Sequence, residues 1–231
     1  QVEMNAAHAL LFKTNKIVRA EEWKEILRTA FIWFDWGSMP QPSACPPSVS
    51  DEEKKEMGTN LGKAVKSIPG YVEKSDFVAI VAPGCLHADR RDKQTGCRAK
   101  TCFRTYRSRG WCVLEIFASY LSRDKTHPAL LITSKSGMPE WISSMEAQKL
   151  AVGVCDFTCC QRNHTFGNRI VPCDRGITRL ILEKLIESKV QHLFKTNDMK
   201  LARLFHCLRQ WWLRGSDVND NSVSTLKDFK S

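Results

Sequence analysis

Arg109-Gly110-Trp111-Cys112-Val113-Leu114-Glu115 is the stretch on which the fold turns. Trp111, Leu114, Ala118 and Leu121 recur at three and four residues, so the spacing predicts a helix whose apolar stripe faces a core. Upstream, Phe77 to Val81 is an unbroken apolar run, preceded by Asp76 and closed by Pro83. A run of that kind predicts a parallel strand covered on both faces. Downstream, Pro128 to Thr133 predicts another strand.

Working toward the N-terminus, residues 5 to 30 read as helical, with Trp23, Ile26 and Leu27 among the apolar positions. Phe31-Ile32-Trp33-Phe34 then predicts a short buried strand closed by Asp35. Residues 37 to 50, rich in Pro and Ser, predict a loop. Asp51-Glu52-Glu53 starts a helix carrying Leu61, Ala64, Val65, Ile68 and Val72, distorted near its end by Pro69. Helices and strands thus alternate, the pattern of an α/β sandwich with a mainly parallel sheet. Ligands of such sheets sit beyond the carboxyl ends of the strands, where Asp35 and the loop after Pro83 are expected.

The expected organisation is an α/β domain over 1–150, a Cys-rich connector over 151–175, a helical extension over 176–214 and a flexible tail over 215–231. In the extension, Phe205, Leu208, Trp211 and Trp212 form a stripe beside Arg203, Arg209 and Arg214. Packing against the α/β core is the first reading of that stripe, contact with an anionic membrane the second.

With 231 residues, 42% of them apolar, and seven Trp, the chain can bury a core, which excludes wholesale disorder. No run approaches the roughly 18 apolar residues of a membrane span. The N-terminus carries no leader, and the segment reads as a piece of something longer. The ten cysteines fit a reducing cytosol, so a cytoplasmic location is expected. The net charge is +10, and six net positive charges fall between Cys85 and Cys112, in one expected loop. Phe103 and Tyr106 interleave there with Arg104 and Arg107, a composition that weakly favours nucleic acid or another polyanion.

Trp111-Cys112-x-x-Glu115 resembles the Trp-Cys-x-x-Glu motif that opens a helix of Toll/interleukin-1 receptor (TIR) domains. Phe31 to Asp35 resembles the second TIR strand, Ser38 to Asn60 the variable loop after it, Asp76 to Pro83 the third strand and Pro128 to Thr133 the fourth. More closely, Trp33-Phe34-Asp35 with Ser38-Met39-Pro40-Gln41, Ser67-Ile68-Pro69-x-Tyr71-Val72-Glu73 and Arg109-Gly110-Trp111-Cys112 resemble TIR-like modules of large algal proteins. Phe157-Thr158-Cys159-Cys160, Asn163-His164 and Cys173-Asp174 share that likeness, which spans roughly residues 5 to 195.

The resemblance implies a flavodoxin-like sheet whose first strand is missing ahead of residues 5 to 30. It implies a cytosolic signalling or assembly module that self-associates or binds other TIR-like domains, with an NAD glycohydrolase as the alternative. In the enzymatic members Glu115 is the catalytic position that cleaves the nicotinamide–ribose bond. A carboxylate there stabilises an oxocarbenium-like ribosyl centre, as in glycoside hydrolysis. Trp111, one turn before it, is expected to wall the site, and Asp35, Trp111 and Arg109 are the nucleotide-binding candidates. For Asp35 a cap of the turn at Gly37 is the favoured reading, and beside the functional readings Glu115 also reads as a solvated or dipole-facing helix residue and Trp111 as a core residue.

Cys155, Cys159, Cys160, His164 and Cys173 supply enough thiolates and imidazole for tetrahedral zinc, and Cys85, His87, Cys97 and Cys102 form a second possible set. Neither follows a paired Cys-x-x-Cys rhythm, so packed or free thiols are the favoured reading of both.

Overall fold

The structure is a computed structural model and describes residues 20–40, 45–46, 48–91, 94–123, 129–134, 139–142, 145–166 and 169–215. Helix α1 spans Ala20–Thr29, so the remainder of the helix expected over 5–30, like Gln41, Pro128 and the tail from residue 216, lies outside the described residues. One element of the N-terminal half follows directly from a local signal. Helix α3, Asp51–Glu73, opens with a capping box in which the Ser50 hydroxyl accepts from the Glu53 amide at 3.2 Å and the Glu53 carboxylate accepts from the Ser50 amide at 2.9 Å. It carries Pro69 internally and buries Ile68 and Val72.

The expected strand at Phe31–Asp35 is not formed. Residues 30–34 are irregular, and Asp35–Ser38 is a single helical turn, α2, in which the Ser38 amide donates to the Phe34 carbonyl at 2.7 Å. Aromatic and β-branched composition favours a strand only where a neighbouring strand supplies its ladder and covers its faces. Phe31, Ile32 and Phe34 instead face solvent, whereas Trp33 stacks on Tyr71 of α3 with ring centroids 5.2 Å apart.

Strand β1, Val78–Val81, pairs in parallel with β4, Ala129–Ile132. β4 in turn pairs antiparallel with β5, Glu140–Ile142. The sheet is therefore small and mixed, three strands in the order β1-β4-β5, rather than mainly parallel. β1 is covered on one face only: Ile80 is buried while Ala79 and Val81 are exposed. Its unbroken apolar run reflects an edge position and not the double coverage expected of a central strand.

The basic segment is no loop. Cys85–Arg91 and Arg98–Thr101 form an antiparallel pair, β2 and β3, followed by the helical turn α4, Phe103–Tyr106.

Helix α5, Gly110–Tyr120, is the centre of the molecule. Its residues are apolar almost all round, the pattern of a helix enclosed on every side. Val113, Leu114, Phe117 and Leu121 are buried against Ile80, Ala129 and Leu131 of the sheet. After two helical turns, α6, Met145–Gln148, and α7, Thr158–Gln161, the other side of α5 is covered by Ile181, Leu182 and Ile186 of α8, Asp174–Lys195, and by Ala202, Phe205 and Trp212 of α9, Met199–Leu213. Phe117, Tyr120, Phe205 and Trp212 make edge-on and tilted contacts at 5.5–6.1 Å. The C-terminal stripe thus packs inward through Phe205 and Trp212, and Trp211 remains half exposed.

Lys189 of α8 is buried and its ammonium donates to the carbonyls of Ser122 at 2.6 Å and Arg123 at 2.8 Å, just past the end of α5. Arg123 forms a forked pair with Glu73 at 2.6 and 2.7 Å, which ties that end to α3.

Candidate functional site

The N-terminal end of α5 is fixed by backbone contacts rather than by a capping side chain. The Gly110 amide donates to the Asp156 carbonyl at 3.0 Å and the Asp156 amide to the Ser108 carbonyl at 2.7 Å, so residues 108–110 and 156 form a short two-strand strap. The ring of Phe157, buried, lies directly over Gly110: a Cβ placed there would meet it at 2.1 Å. Only glycine admits this approach, and it sets the angle at which α5 leaves the strap.

Glu115, one turn into α5, is half-buried. The phenolic hydroxyl of Tyr106, from α4, donates to its Oε2 at 2.8 Å. Burial and the charge of Asp35 push the Glu115 carboxyl up to about 7; the Tyr106 hydrogen bond and the Arg109 guanidinium pull the other way. Tyr106 is itself held protonated, well above its ordinary range, by burial and by the Glu115 charge. Asp35 is raised too, chiefly by burial, and Arg109 opposes the rise. Cys112 is pushed up to about 12 by burial and by Glu115, which makes it an inert packing thiol.

Of the sequence-derived candidates, Asp35 and Arg109 therefore lie near enough for their charges to act on Glu115, and the Arg109 charge also acts on Asp35. Asp35 opens the helical turn α2, and its Oδ1 is buried without a hydrogen-bond partner. Glu115 is not a solvated surface residue. Trp111 packs between helices. Its indole Nε1 donates to Asp174 Oδ2, at the start of α8, at 3.1 Å, and its ring packs near Ile68, Val72 and Ala118. It is a strut between α3, α5 and α8.

Tyr106 is the group that sequence reading passed over. Its signal lay in the string, three residues before Arg109, yet it was grouped with the basic residues around it. Asp156 and Phe157 come from a distant segment and carry no local mark of their role.

The cysteines divide. Cys159, Cys160, His164 and Cys173 bring their ligating atoms within 4.8 Å of one another. Cys155 stays outside the group, its thiol 3.3 Å from the Ala151 carbonyl. Among the described residues Cys85, His87, Cys97 and Cys102 do not come together as a ligand set; the Cys85 thiol lies 2.9 Å from the Thr101 hydroxyl. Among the described residues no helix is long and apolar enough to cross a membrane.

A cavity of about 590 Å³ lies elsewhere, between α3, α5 and α8, lined by Lys66, Pro69, Ala118, Leu121 and Leu185 among others. Its lining is mainly apolar, and of the carboxylates at its edge Glu73 is paired with Arg123 and Glu183 with Arg179, so its size alone does not make it the chemical site. No family model, curated protein or solved structure matches the chain.

Proposed function

We propose that this chain is a TIR-like module that cleaves the nicotinamide–ribose bond of NAD, with Glu115 as the catalytic carboxylate. One observation carries the reading: the Tyr106 hydroxyl holds Glu115 by a 2.8 Å hydrogen bond near the start of α5, where the charges of Asp35 and Arg109 reach it. The TIR resemblance of Trp111-Cys112-x-x-Glu115 supplies the substrate class. Paired acids whose environments alter their proton affinities are a common device of acid–base sites.

The chemistry follows from charge. As the bond from the ribose C1′ to the pyridinium nitrogen breaks, its electron pair goes to that nitrogen and nicotinamide leaves neutral, with no proton donor required. Positive charge develops at C1′, and ionised Glu115 offsets it in a site shielded from water. Water then adds to C1′ and gives its proton to a carboxylate, Glu115 or Asp35, leaving ADP-ribose. Arg109, at the mouth, pairs with the phosphates of the dinucleotide.

The test is nicotinamide release from NAD by the purified protein and by Glu115→Gln. Turnover lost in the variant, with an unchanged fold by circular dichroism, supports the reading; no turnover in the unaltered protein, or equal turnover in both, contradicts it.

A second reading, signalling by self-association, is favoured by a separate observation. Phe31 is 103% and Ile32 78% exposed, and Val81 is 64% exposed on β1, whose second edge is unpaired among the described residues. A second copy of this chain is the partner that reading takes. Sedimentation velocity over a wide concentration range distinguishes it: Phe31→Ser with Ile32→Ser abolishes concentration-dependent dimers if the patch is the contact, and leaves them unaltered if it is not.

A further inference from the structure

We propose that Cys159, Cys160, His164 and Cys173 form a tetrahedral structural zinc site that staples residues 158–173 onto the start of α8. This inference does not depend on the activity assigned to Glu115. The four ligating atoms lie within 4.8 Å of one another, and the Cys160 and Cys173 sulfurs are 3.6 Å apart. Zinc–sulfur bonds of about 2.3 Å in a tetrahedron place sulfurs ~3.8 Å apart, so small side-chain adjustments close the shell. Three sulfurs and one imidazole nitrogen are the donor set of closed structural zinc sites, and thiolate softness favours zinc over magnesium or calcium.

The backbone is shaped for this arrangement. Thr158–Gln161 forms a helical turn, α7, which carries the adjacent cysteines. The chain then reverses through Asn163 and His164, both in the left-handed region at φ 50° and 55°. For a histidine this conformation costs about 1–2 kcal/mol, and it persists where surrounding contacts over-determine it. Here the His164 amide donates to the Cys159 carbonyl at 2.8 Å and the Val171 amide to the His164 carbonyl at 2.8 Å. The short antiparallel pair Thr165–Phe166 and Arg169–Ile170, β6 and β7, brings Cys173 back beside Cys160.

Two further observations point to a ligand. His164 Nε2 is buried and has no hydrogen-bond partner. A buried orphan of this kind is costly, and a metal would satisfy the imidazole. The Asp174 amide donates to the Cys159 sulfur at 3.3 Å, the sort of outer hydrogen bond that steadies a metal thiolate. Zinc binding exchanges the protons of three thiols for three Zn–S bonds and releases those protons to solvent. By fixing Cys173 the metal also holds Asp174, and through its carboxylate the Trp111 indole.

The experiment measures metal in protein purified under reducing conditions, then follows chelator-stripped protein on addition of zinc or cobalt. Expected are one zinc per chain, tetrahedral cobalt–thiolate absorption, and an unfolding midpoint raised by on the order of 10 °C when zinc is far above its dissociation constant. Cys160→Ser, His164→Ala and Cys173→Ser lose the metal, whereas Cys155→Ser keeps it. Metal-free protein whose midpoint ignores zinc and which gives no cobalt bands overturns the proposal. So does a Cys160–Cys173 disulfide whose reduced form still binds no zinc.

Discussion

The Tyr106 hydroxyl donates a 2.8 Å hydrogen bond to Oε2 of Glu115, joining a helical turn in the basic segment to the central helix of the fold. Because Tyr106 stays protonated, it is a donor at any physiological pH. Its bond favours the ionised form of Glu115. Tyr106→Phe therefore raises the Glu115 midpoint beyond about 7. The stability cost measured by urea unfolding is larger at pH 8, about 1.5–3 kcal/mol for a bond to a charged acceptor, than at pH 6, about 0.5–1.5 kcal/mol for a neutral one.

Glu115 itself makes stability fall as pH rises. Its carboxyl holds a proton in the folded state up to about 7 but releases it near the ordinary 4.5 when unfolded. Between those values the folded chain binds more protons, so its advantage is complete below about 4.5 and is lost as pH rises through about 7. At about 1.4 kcal/mol for each tenfold change in proton affinity, the loss is on the order of 3 kcal/mol. Asp35, also raised, adds to it with the same sign. Urea unfolding from pH 4.5 to 8 measures this, and Glu115→Gln flattens most of the slope.

Gly110 is constrained by space. A methyl group there meets the Phe157 ring at 2.1–2.8 Å, and that ring is enclosed in the core. Gly110→Ala is expected to cost at least about 1–3 kcal/mol. Pairing it with Phe157→Leu recovers part of the loss if the ring is the obstacle, a non-additivity readable in a double-mutant cycle.

Thiol reactivity separates the cysteines. Cys102 is exposed and the backbone amides of Thr105 and Arg104 hold its thiol below the ordinary value, whereas burial pushes Cys112 up to about 12. Alkylation at pH 8 followed by peptide mass mapping is expected to modify Cys102 first and Cys112 last; the reverse order would contradict the placement of α5.

What was legible in the sequence was what local chemistry decides. Trp111, Leu114, Ala118 and Leu121 recur at helical spacing, and the helix Gly110–Tyr120 buries Leu114 and Ala118. Ser50 and Glu53 announce the start of α3 through a bond pattern confined to four residues. Phe31–Phe34 misled because strand propensity records a fit to neighbouring strands, and none pairs with it among the described residues. The mixed sheet escaped for a related reason, since Glu140–Ile142 is too short to declare its direction. At the site, Glu115 and Arg109 were singled out by the TIR resemblance, and Asp35 as the close of an expected strand that does not form. Tyr106 was masked by the arginines around it. The Trp111–Asp174 contact spans 63 residues, and the grouping of Cys159, Cys160, His164 and Cys173 depends on a hairpin that spacing does not reveal.

The central claim is that Glu115 is a sheltered acid coupled to Asp35, and its titration tests this most directly. Carbon-detected NMR of side-chain carboxyls, with Glu115→Gln to assign the signal, should give a midpoint near 7 that drops when Asp35 is replaced by Asn. A midpoint at the ordinary 4.5, unchanged in Asp35→Asn, would contradict both the geometry of the site and the chemistry built on it.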